Sequence, residues 1–330
     1  MNVADRESWV SGLLIGSHFL DTSLLRNRMM LLAILLFSTL AMGAEDAFVD
    51  VERLVTSGKY PEALAALERI SPPASRAARW HLLASKAFDG VNEPARAVEH
   101  AEAALALDVK TEANHLQLAQ IFLSRNTPLA AYEILSEAQQ FFPDSILIRL
   151  GKSIALKELK RYEEAEKELV EVLRRKPDLG LAFDTLGTIY INTARNQDLL
   201  RAAEEYRNRN PNDFRGHYYL GTARHLLEMD LEETEKLVRQ AIQLNSNFAA
   251  SQALLGRILL DRGRVAEAIP ILELAIELRP DYTTAHLSLI KAYRKSGQEE
   301  KAVRQSDSLR ELNDKGMQQP PALLYHRKKK

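Results

Sequence analysis

A period of about 34 residues runs through most of this sequence. Pro143, Pro177, Pro211, Ser246 and Pro280 follow one another at intervals of 34, 34, 35 and 34 residues. Two further columns keep this interval: Ala63, Ala97, Ala131, Ala165, Leu199, Thr234, Ala268 and Ala302 form one, and Ala84, Ala119, Ser153, Gly187, Gly221, Gly256 and Ile290 form the other. Such an interval indicates an array of similar structural units, each stacked on its neighbours.

Each unit has the apolar spacing of two helices. Apolar residues recur at offsets of three and four, as in Ala165, Leu169, Val172 and Leu173. Short breaks separate the two helices of a unit: Ser57-Gly58, Arg262-Gly263 and Ser296-Gly297 are expected to end first helices, and Pro61, Pro94 and Pro128 to lie in the first turn of second helices. The later prolines, Pro143 to Pro280, are expected to end second helices because proline lacks the amide donor.

Small and bulky columns alternate along these helices. The Gly, Ala and Ser column is expected to leave room where two helix backbones approach to about 8–10 Å. A bulky column contains Trp80, His115, Arg149, Phe183, His217, Gln252 and His286. One helix pair of this size cannot bury its own apolar faces, so the units are predicted to stack.

These residues resemble the tetratricopeptide repeat, a unit of about 34 residues with a bulky residue, then Leu-Gly, Tyr, Ala and finally Pro. The best matches are residues 180–213 and 249–282. The resemblance implies an all-α solenoid of about eight helix pairs, over residues 44–313. The predicted units lie near 44–73, 77–110, 112–145, 146–179, 180–213, 214–248, 249–282 and 283–313.

The sequence departs from the repeat pattern at several positions. Leu199 and Thr234 replace the expected Ala, Lys152-Ser153 replaces Leu-Gly, and the first unit ends irregularly at Ser71-Pro72-Pro73. The last predicted helix, 301–313, is much more polar than its counterpart 266–278, as the terminal cap of a repeat array requires. Residues 314–330 are predicted to be a basic, disordered tail, although Leu323 to Tyr325 could dock on the last unit or the basic cluster could contact anionic lipid.

The amino-terminal segment has the three parts of a secretory signal. Residues 29–42 form an uncharged apolar run that follows Arg26 and Arg28 and precedes Gly43 and Ala44. Residues 1–43 are therefore predicted to be an extension and a signal peptide, cleaved after Gly43 or Ala44. Met1, Met29 and Met30 are all possible start sites. An uncleaved membrane anchor and a buried N-terminal helix remain alternatives, although a spanning helix needs about 20 residues.

Composition favours a protein partner over other classes of ligand. Apolar residues make up 46 % and charged residues 27 % of the chain, which suits packed amphipathic helices. The net charge of −1 provides no overall positive field, so nucleic acid is not an expected partner. The absence of cysteine excludes disulfides and thiolate sites. Membrane contact remains possible through the N-terminal apolar segment or the basic tail.

No motif in the sequence indicates catalysis, a metal or a cofactor. There is no glycine-rich phosphate loop, Gly-x-Ser-x-Gly elbow or His-Glu-x-x-His sequence. His115, His217 and His286 fall in the bulky column and are predicted to be packing residues, too far apart to chelate one ion. We therefore expect no catalytic residues, no metal site and no cofactor.

The resemblance implies a binding groove lined by the first helices of successive units. Eleven residues are candidates for contact with a peptide or partner protein: Asp184, Thr188, Asn192, Tyr218, Thr222, His225, Arg257, Asp261, Lys291, Arg294 and Lys295. They are polar and aromatic in the middle and basic at the end, which suits an extended or carboxylate-bearing segment.

The main functional prediction is a non-enzymatic protein-binding or peptide-binding scaffold, exported to the periplasm or outside the cell. The alternative is a membrane-anchored assembly factor of an envelope complex, held through residues 29–42. A repeat enzyme or a nucleic-acid reader is a third hypothesis, disfavoured because catalytic motifs and a positive field are missing.

Overall fold

The computed structural model describes residues 48–71 and 76–317, and in these ranges the chain forms sixteen helices and no strand. The first helix, α1, covers residues 48–56. The others are α2 (Tyr60–Glu68), α3 (Ala77–Gly90), α4 (Pro94–Leu107), α5 (Glu112–Ser124), α6 (Pro128–Phe141), α7 (Ile146–Glu158), α8 (Tyr162–Arg175), α9 (Gly180–Asn192), α10 (Asn196–Arg209), α11 (Phe214–Leu226), α12 (Leu231–Leu244), α13 (Ala249–Asp261), α14 (Val265–Leu278), α15 (Thr283–Lys295) and α16 (Glu299–Met317). The all-α prediction is confirmed. The predicted signal peptide lies outside the described residues.

We call the odd-numbered helices, which come first in each pair, A helices, and the even-numbered ones B helices. Proline lies at the start of some B helices and just after the end of others. Pro94 and Pro128 are the first residues of α4 and α6, where the missing amide costs nothing. The B helices α8 and α14 end just before Pro177 and Pro280. Both predicted roles of proline are therefore confirmed.

Every turn from an A helix to its B helix contains one residue in the left-handed backbone region. Three are glycines, with φ of 73–76°, as the sequence predicts. The other five carry side chains, with φ of 53–62°: Asn92, Asn126, Lys160, Ala194 and Glu228. The left-handed conformation is therefore a feature of the turn in every repeat, and it occurs even where the residue at that position does not favour it.

The chain divides into two compact units at residues 117 and 118. In the first unit, α3 contacts both α2 and α4. In the second unit, each helix from α6 to α16 contacts the next one, and each A helix from α7 to α15 also contacts the next A helix. The backbones of the described B helices of this unit do not approach one another as closely, with no Cα atoms of two B helices within 8 Å. The A helices therefore form the inner layer of the second unit.

The small column allows helices to pack closely, although the neighbour it accommodates is a side chain. A Cβ atom on Gly256 would lie 2.4 Å from Leu272 Cγ of the paired helix α14, and one on Gly221 would lie 2.6 Å from Val238 Cγ2 of α12. A Cβ atom on Gly187 would meet Tyr219 of the next A helix at 2.5 Å. The prediction of room for a partner backbone was therefore too specific.

Aromatic stacking joins neighbouring repeats in the second unit. The rings of Phe183 and Tyr206 are parallel, with centroids 3.9 Å apart, and Tyr219 meets Phe183 edge-on at 5.3 Å. All three side chains are buried in one apolar cluster that extends from α7 to α11. Offset and edge-on ring pairs add to the free energy of burial, so this cluster favours one relative placement of the helices.

The last helix continues past the predicted solenoid boundary at residue 313 and ends at Met317. Pro320 is the next residue that would stop a helix, and Asp314 and Lys315 are compatible with one. Ala302 is buried, whereas Val303 and Arg310 of the same helix are exposed. A largely exposed final helix fits the predicted role of a polar cap.

Candidate functional site

The eleven predicted contact residues all lie on A helices of the second unit. They come from α9, α11, α13 and α15, and each of these helices contacts the next one. We call the side of these four helices that carries the candidates the inner face. The contacts between the A helices fix the spacing of the candidates along it.

The candidates from α9 are partly committed to internal contacts. The Asp184 carboxylate accepts a hydrogen bond from Arg215 Nε at 2.8 Å, and Arg215 also pairs with Asp213 at 3.2 Å. Burial raises the pKa of the Asp184 carboxyl, against the lowering influence of Arg215. Thr188 Oγ1 donates to the carbonyl oxygen of Asp184 in its own helix, at 2.8 Å. Asn192 is exposed.

Two candidates from α11 contribute mainly to packing. The Tyr218 ring meets Phe248 and Tyr219 edge-on, with centroids 5.0 and 4.8 Å away. Thr222 is buried, and its hydroxyl donates to the Tyr218 carbonyl at 2.9 Å. These side chains shape the floor of the inner face and offer little free hydrogen-bonding capacity.

Three other candidates form a polar chain across three successive A helices. His225 Nε2 of α11 lies 2.9 Å from Asp261 Oδ2 of α13, and Lys291 Nζ of α15 lies 3.6 Å from Asp261 Oδ1. The His225 side chain is only 10 % exposed, whereas that of Lys291 is 56 % exposed. These residues are predicted from the sequence to contact a peptide or partner protein. The structure shows that they also contact one another.

The remaining candidates make the carboxyl end of the inner face basic. Arg257 is half-buried on α13, and among the described residues its guanidinium has no hydrogen-bond or ion-pair partner. Arg294 is 3.7 Å from Glu299, and both side chains are largely exposed. Lys295 is exposed at the end of α15. Four cations, counting Lys291, therefore lie at this end, and the carboxylates near them in the described part of the chain include those of Asp261 and Glu299.

The sequence reading did not identify Arg215, which holds Asp184 in place. A Cβ atom on Gly180 would lie 2.7 Å from the Arg215 guanidinium carbon, so the guanidinium rests on the first turn of α9. Arg215 directly follows Phe214 at the start of α11, and its guanidinium also lies 4.7 Å from the centre of that ring. No repeat column singles this residue out.

An apolar pocket of about 330 Å³ lies on α8, α9 and α10, away from the candidate residues. Val170, Leu173, Leu186 and Tyr190 form part of its wall, with Arg174 and Arg209 among the charged lining residues. Its walls come from both B helices, α8 and α10, and from the A helix α9. The sequence reading did not identify this pocket.

The histidines of the bulky column form hydrogen bonds with backbone carbonyl groups. The Nε2 atoms of His115, His217 and His286 lie 2.9, 3.1 and 2.8 Å from the carbonyl oxygens of Val109, Pro211 and Pro280. The described part of the chain contains no group of three or more His, Cys, Asp or Glu residues placed to hold a metal ion. None of its helices is both long and apolar enough to span a membrane.

Two family models, both described as tetratricopeptide repeat, match residues 229–283 and 259–316. Tetratricopeptide repeats are therefore present in this part of the chain. A comparison with curated proteins gives no match.

Solved structures show the same fold at low sequence identity. The chain is similar to the crystal structure of the APC/C hetero-tetramer Cut9-Hcn1, with a TM-score of 0.56 and 17 % identity. That match covers 73 % of this chain and 48 % of the other, so this chain spans about half its length. It is also similar to a tetratricopeptide repeat protein from Parabacteroides merdae ATCC 43184, with a TM-score of 0.59, 14 % identity and coverage of 72 % and 93 %. The fold is an α-solenoid of helix pairs.

Proposed function

We propose that this chain is a non-enzymatic scaffold that binds an extended, acidic peptide segment of a partner protein on the inner face of its second unit. The observation that carries the proposal is the group of cations on α13 and α15, in which Arg257 has no partner among the described residues. Tetratricopeptide repeats, which this part of the chain contains, generally bind proteins or peptides.

The inner face is a rigid surface for such a ligand. The His225–Asp261–Lys291 chain ties together α11, α13 and α15, whose apolar sides are buried in the core. Because these helices are held before the ligand arrives, little conformational entropy is lost by the scaffold on binding. For one extended peptide we expect a dissociation constant of about 1 μM.

The charge distribution selects the ligand chemistry. An acidic side chain or a terminal carboxylate would form charge-assisted hydrogen bonds with Arg257, whose planar guanidinium suits a carboxylate. Lys291 and Lys295 would add attraction that weakens as salt concentration rises. Tyr218, whose ring packs edge-on against Phe248, would provide apolar contact.

Selection from a random peptide library on the purified chain would test the ligand class. We expect enriched peptides to be acidic, and to bind the Arg257→Glu, Lys291→Glu, Lys295→Glu variant at least about tenfold more weakly, a loss of about 1.4 kcal/mol. Fluorescence anisotropy with labelled selected peptides gives the dissociation constants.

A matched control reverses three exposed cations on B helices: Lys167→Glu, Arg201→Glu and Lys236→Glu. This variant has the same change in net charge but an unaltered inner face, so its affinity should stay close to that of the original chain. Equal losses in both variants would reject the inner-face assignment, and enrichment of basic or purely apolar peptides would reject the ligand class.

We also propose that the scaffold is exported, because residues 29–42 with their flanking arginines and small residues form a signal-like segment. Membrane anchoring through the same segment is the competing proposal. Amino-terminal sequencing of the protein purified from its native source separates the two. A first residue at 44 or 45 supports export and release, whereas an intact segment in the membrane fraction supports anchoring.

A further inference from the structure

A small side chain lines the apolar pocket of about 330 Å³ on α8, α9 and α10, at a position where neighbouring repeats have larger ones. Ala202 of α10 lies three residues after Leu199 of the repeating column. Leu237 and Ile271, at the corresponding positions of the next two B helices, pack against buried apolar clusters. Alanine lacks the volume that these larger aliphatic side chains supply. The space in the pocket therefore depends on the residue at position 202.

The tyrosines of the pocket offer a ligand ring surface, because their hydroxyl protons are already used. The Tyr190 hydroxyl donates to Glu166 at 2.9 Å, and the Tyr206 hydroxyl donates to Asp213 at 2.7 Å. Val170, another lining residue, is 52 % exposed and adds aliphatic surface. A ligand of this pocket therefore needs an apolar body.

Two arginines and one glutamate are the charged residues among the described ones that line the pocket. Arg174 donates from Nε and Nη2 to Glu171 at 2.8 and 2.9 Å, and its Nη1 makes no hydrogen bond to a described residue. Arg209 lies 2.7 Å from Glu205, and both side chains are more than half exposed. Since an exposed ion pair contributes little to stability, the Arg209 guanidinium can turn towards another carboxylate at small cost.

We propose that this pocket binds a small monocarboxylic acid with an apolar aromatic body, of the arylalkanoate class. The apolar body enters between α8 and α10, and the carboxylate forms charge-assisted hydrogen bonds with Arg174 and Arg209. The two arginines and Glu205 give the lining a net charge of one positive unit, which matches a single carboxylate. This site is separate from the inner face, and the proposed function does not use it.

The size and openness of the pocket limit the affinity. A volume of about 330 Å³ lies at the lower end of the range for small-molecule sites. Both guanidinium groups are also exposed to solvent, with side-chain exposures of 68 % for Arg174 and 55 % for Arg209. We therefore expect dissociation constants of about 0.1–1 mM. The attraction to the carboxylate should weaken as salt concentration rises.

Ligand-observed NMR titration of the full chain with 4-phenylbutyrate at pH 7.5 tests the ligand class. The comparison compounds are 4-phenyl-1-butanol and 4-phenylbutylamine, which have the same apolar body but carry no charge or a positive one. We expect saturable broadening of the 4-phenylbutyrate signals, and binding of the alcohol and the amine that is at least about fivefold weaker. No binding of 4-phenylbutyrate, or equal binding of all three compounds, would overturn the proposal.

Ala202→Leu tests the location of the site by filling the pocket. Leucine is the residue that the next B helix has at this position, Leu237, so the variant should keep the fold. We expect it to bind 4-phenylbutyrate at least about tenfold more weakly. Ala66→Leu is the matched control, since it makes the same change at the corresponding position of α2, three residues after Ala63, and should leave the affinity unchanged. Unaltered binding by Ala202→Leu, or equal losses in both variants, would reject the site.

The double variant Arg174→Gln, Arg209→Gln tests the role of charge without filling the pocket. It should bind 4-phenylbutyrate at least about fivefold more weakly and bind 4-phenyl-1-butanol as the original chain does, an outcome that loss of the fold would not produce. The control, Arg53→Gln with Arg310→Gln, removes two arginines that are also exposed and each paired with an aspartate of the same helix. Its affinity for 4-phenylbutyrate should not change. Equal losses for acid and alcohol in the double variant would reject the contact between the carboxylate and the arginines.

Discussion

His286 Nε2 lies 2.8 Å from the carbonyl oxygen of Pro280, six residues earlier in the chain. The same bond from the first turn of an A helix to the preceding loop recurs at the corresponding position of other repeats, from His115, Arg149, His217 and Gln252, at 2.9–3.2 Å. The bulky column thus contains side chains of different chemistry that satisfy one backbone carbonyl. Gln305 Nε2 lies 2.5 Å from Nδ1 of His286, which favours the tautomer that carries its proton on Nε2.

This relationship predicts different effects for two substitutions of His286. His286→Ala removes a buried ring and leaves the Pro280 carbonyl unsatisfied, so we expect a loss of about 2–3 kcal/mol. His286→Gln should cost less than about 1 kcal/mol, because Gln252 makes the equivalent bond elsewhere in the array. Urea denaturation followed by circular dichroism measures both. Equal losses would show that ring packing, and not the hydrogen bond, is what matters.

Ala194 occupies the left-handed backbone region, with φ of 53°, at the position where three other repeats have glycine. An L-residue in this region costs about 1–2 kcal/mol, partly offset by the greater freedom of glycine in the unfolded chain. We expect Ala194→Gly to stabilise the protein by up to about 1 kcal/mol. Gly263→Ala, at φ of 76°, is the reciprocal change and should destabilise it by a similar amount. Thermal unfolding of both variants checks the opposite signs.

Glu235 is the acceptor for three arginines, Arg239, Arg262 and Arg264, and its side chain is 7 % exposed. Burial opposes ionisation, but the hydrogen bonds from Arg239 and Arg262 and the charges of Arg239 and Arg264 outweigh it and lower the pKa of Glu235. Glu235→Gln should cost about 1–3 kcal/mol at pH 7, less than for a fully buried pair because the arginines are partly exposed to solvent.

The lowered pKa of Glu235 also fixes how this stabilisation depends on pH. The unfolded state takes up a proton first as pH falls, so the ionised carboxylate stabilises the fold fully above the ordinary carboxyl pKa of 4.5 and loses this effect through the lower pKa of the folded state. The stability difference between the original chain and Glu235→Gln should therefore shrink below about pH 4.5. Denaturation curves at pH 7, 5, 4 and 3 test this, and a difference independent of pH would contradict it.

Gly256→Ala tests the close approach of α13 and α14. The added Cβ would lie 2.4 Å from Leu272 Cγ, and Leu272 is fully buried, so the helices must shift. We expect a loss of about 1–3 kcal/mol. Adding Leu272→Ala should produce a double variant that is more stable than the sum of the two single losses predicts. Simple additivity would mean that the two residues do not compete for space.

The sequence by itself determined the helix count per unit, the stacking and the helix ends that proline marks. Pro94, Pro177 and Pro280 act through their own covalent geometry, which does not depend on distant residues. The resemblance to the tetratricopeptide repeat implied that the eleven candidate residues lie on first helices, and the structure places all of them on A helices.

Only the tertiary structure decided which side chains are free to bind. In the sequence, Asp184 and Arg257 are both polar residues predicted to lie on the inner face. In the structure Asp184 forms an ion pair with Arg215, whereas Arg257 has no partner in the part of the chain that the structure describes. The pairing of His81 with His100 and the pocket beside α9 also depend on where neighbouring helices end up. A periodic pattern specifies which face of its helix a side chain lies on. The distances between side chains of different helices are set only by how the helices pack.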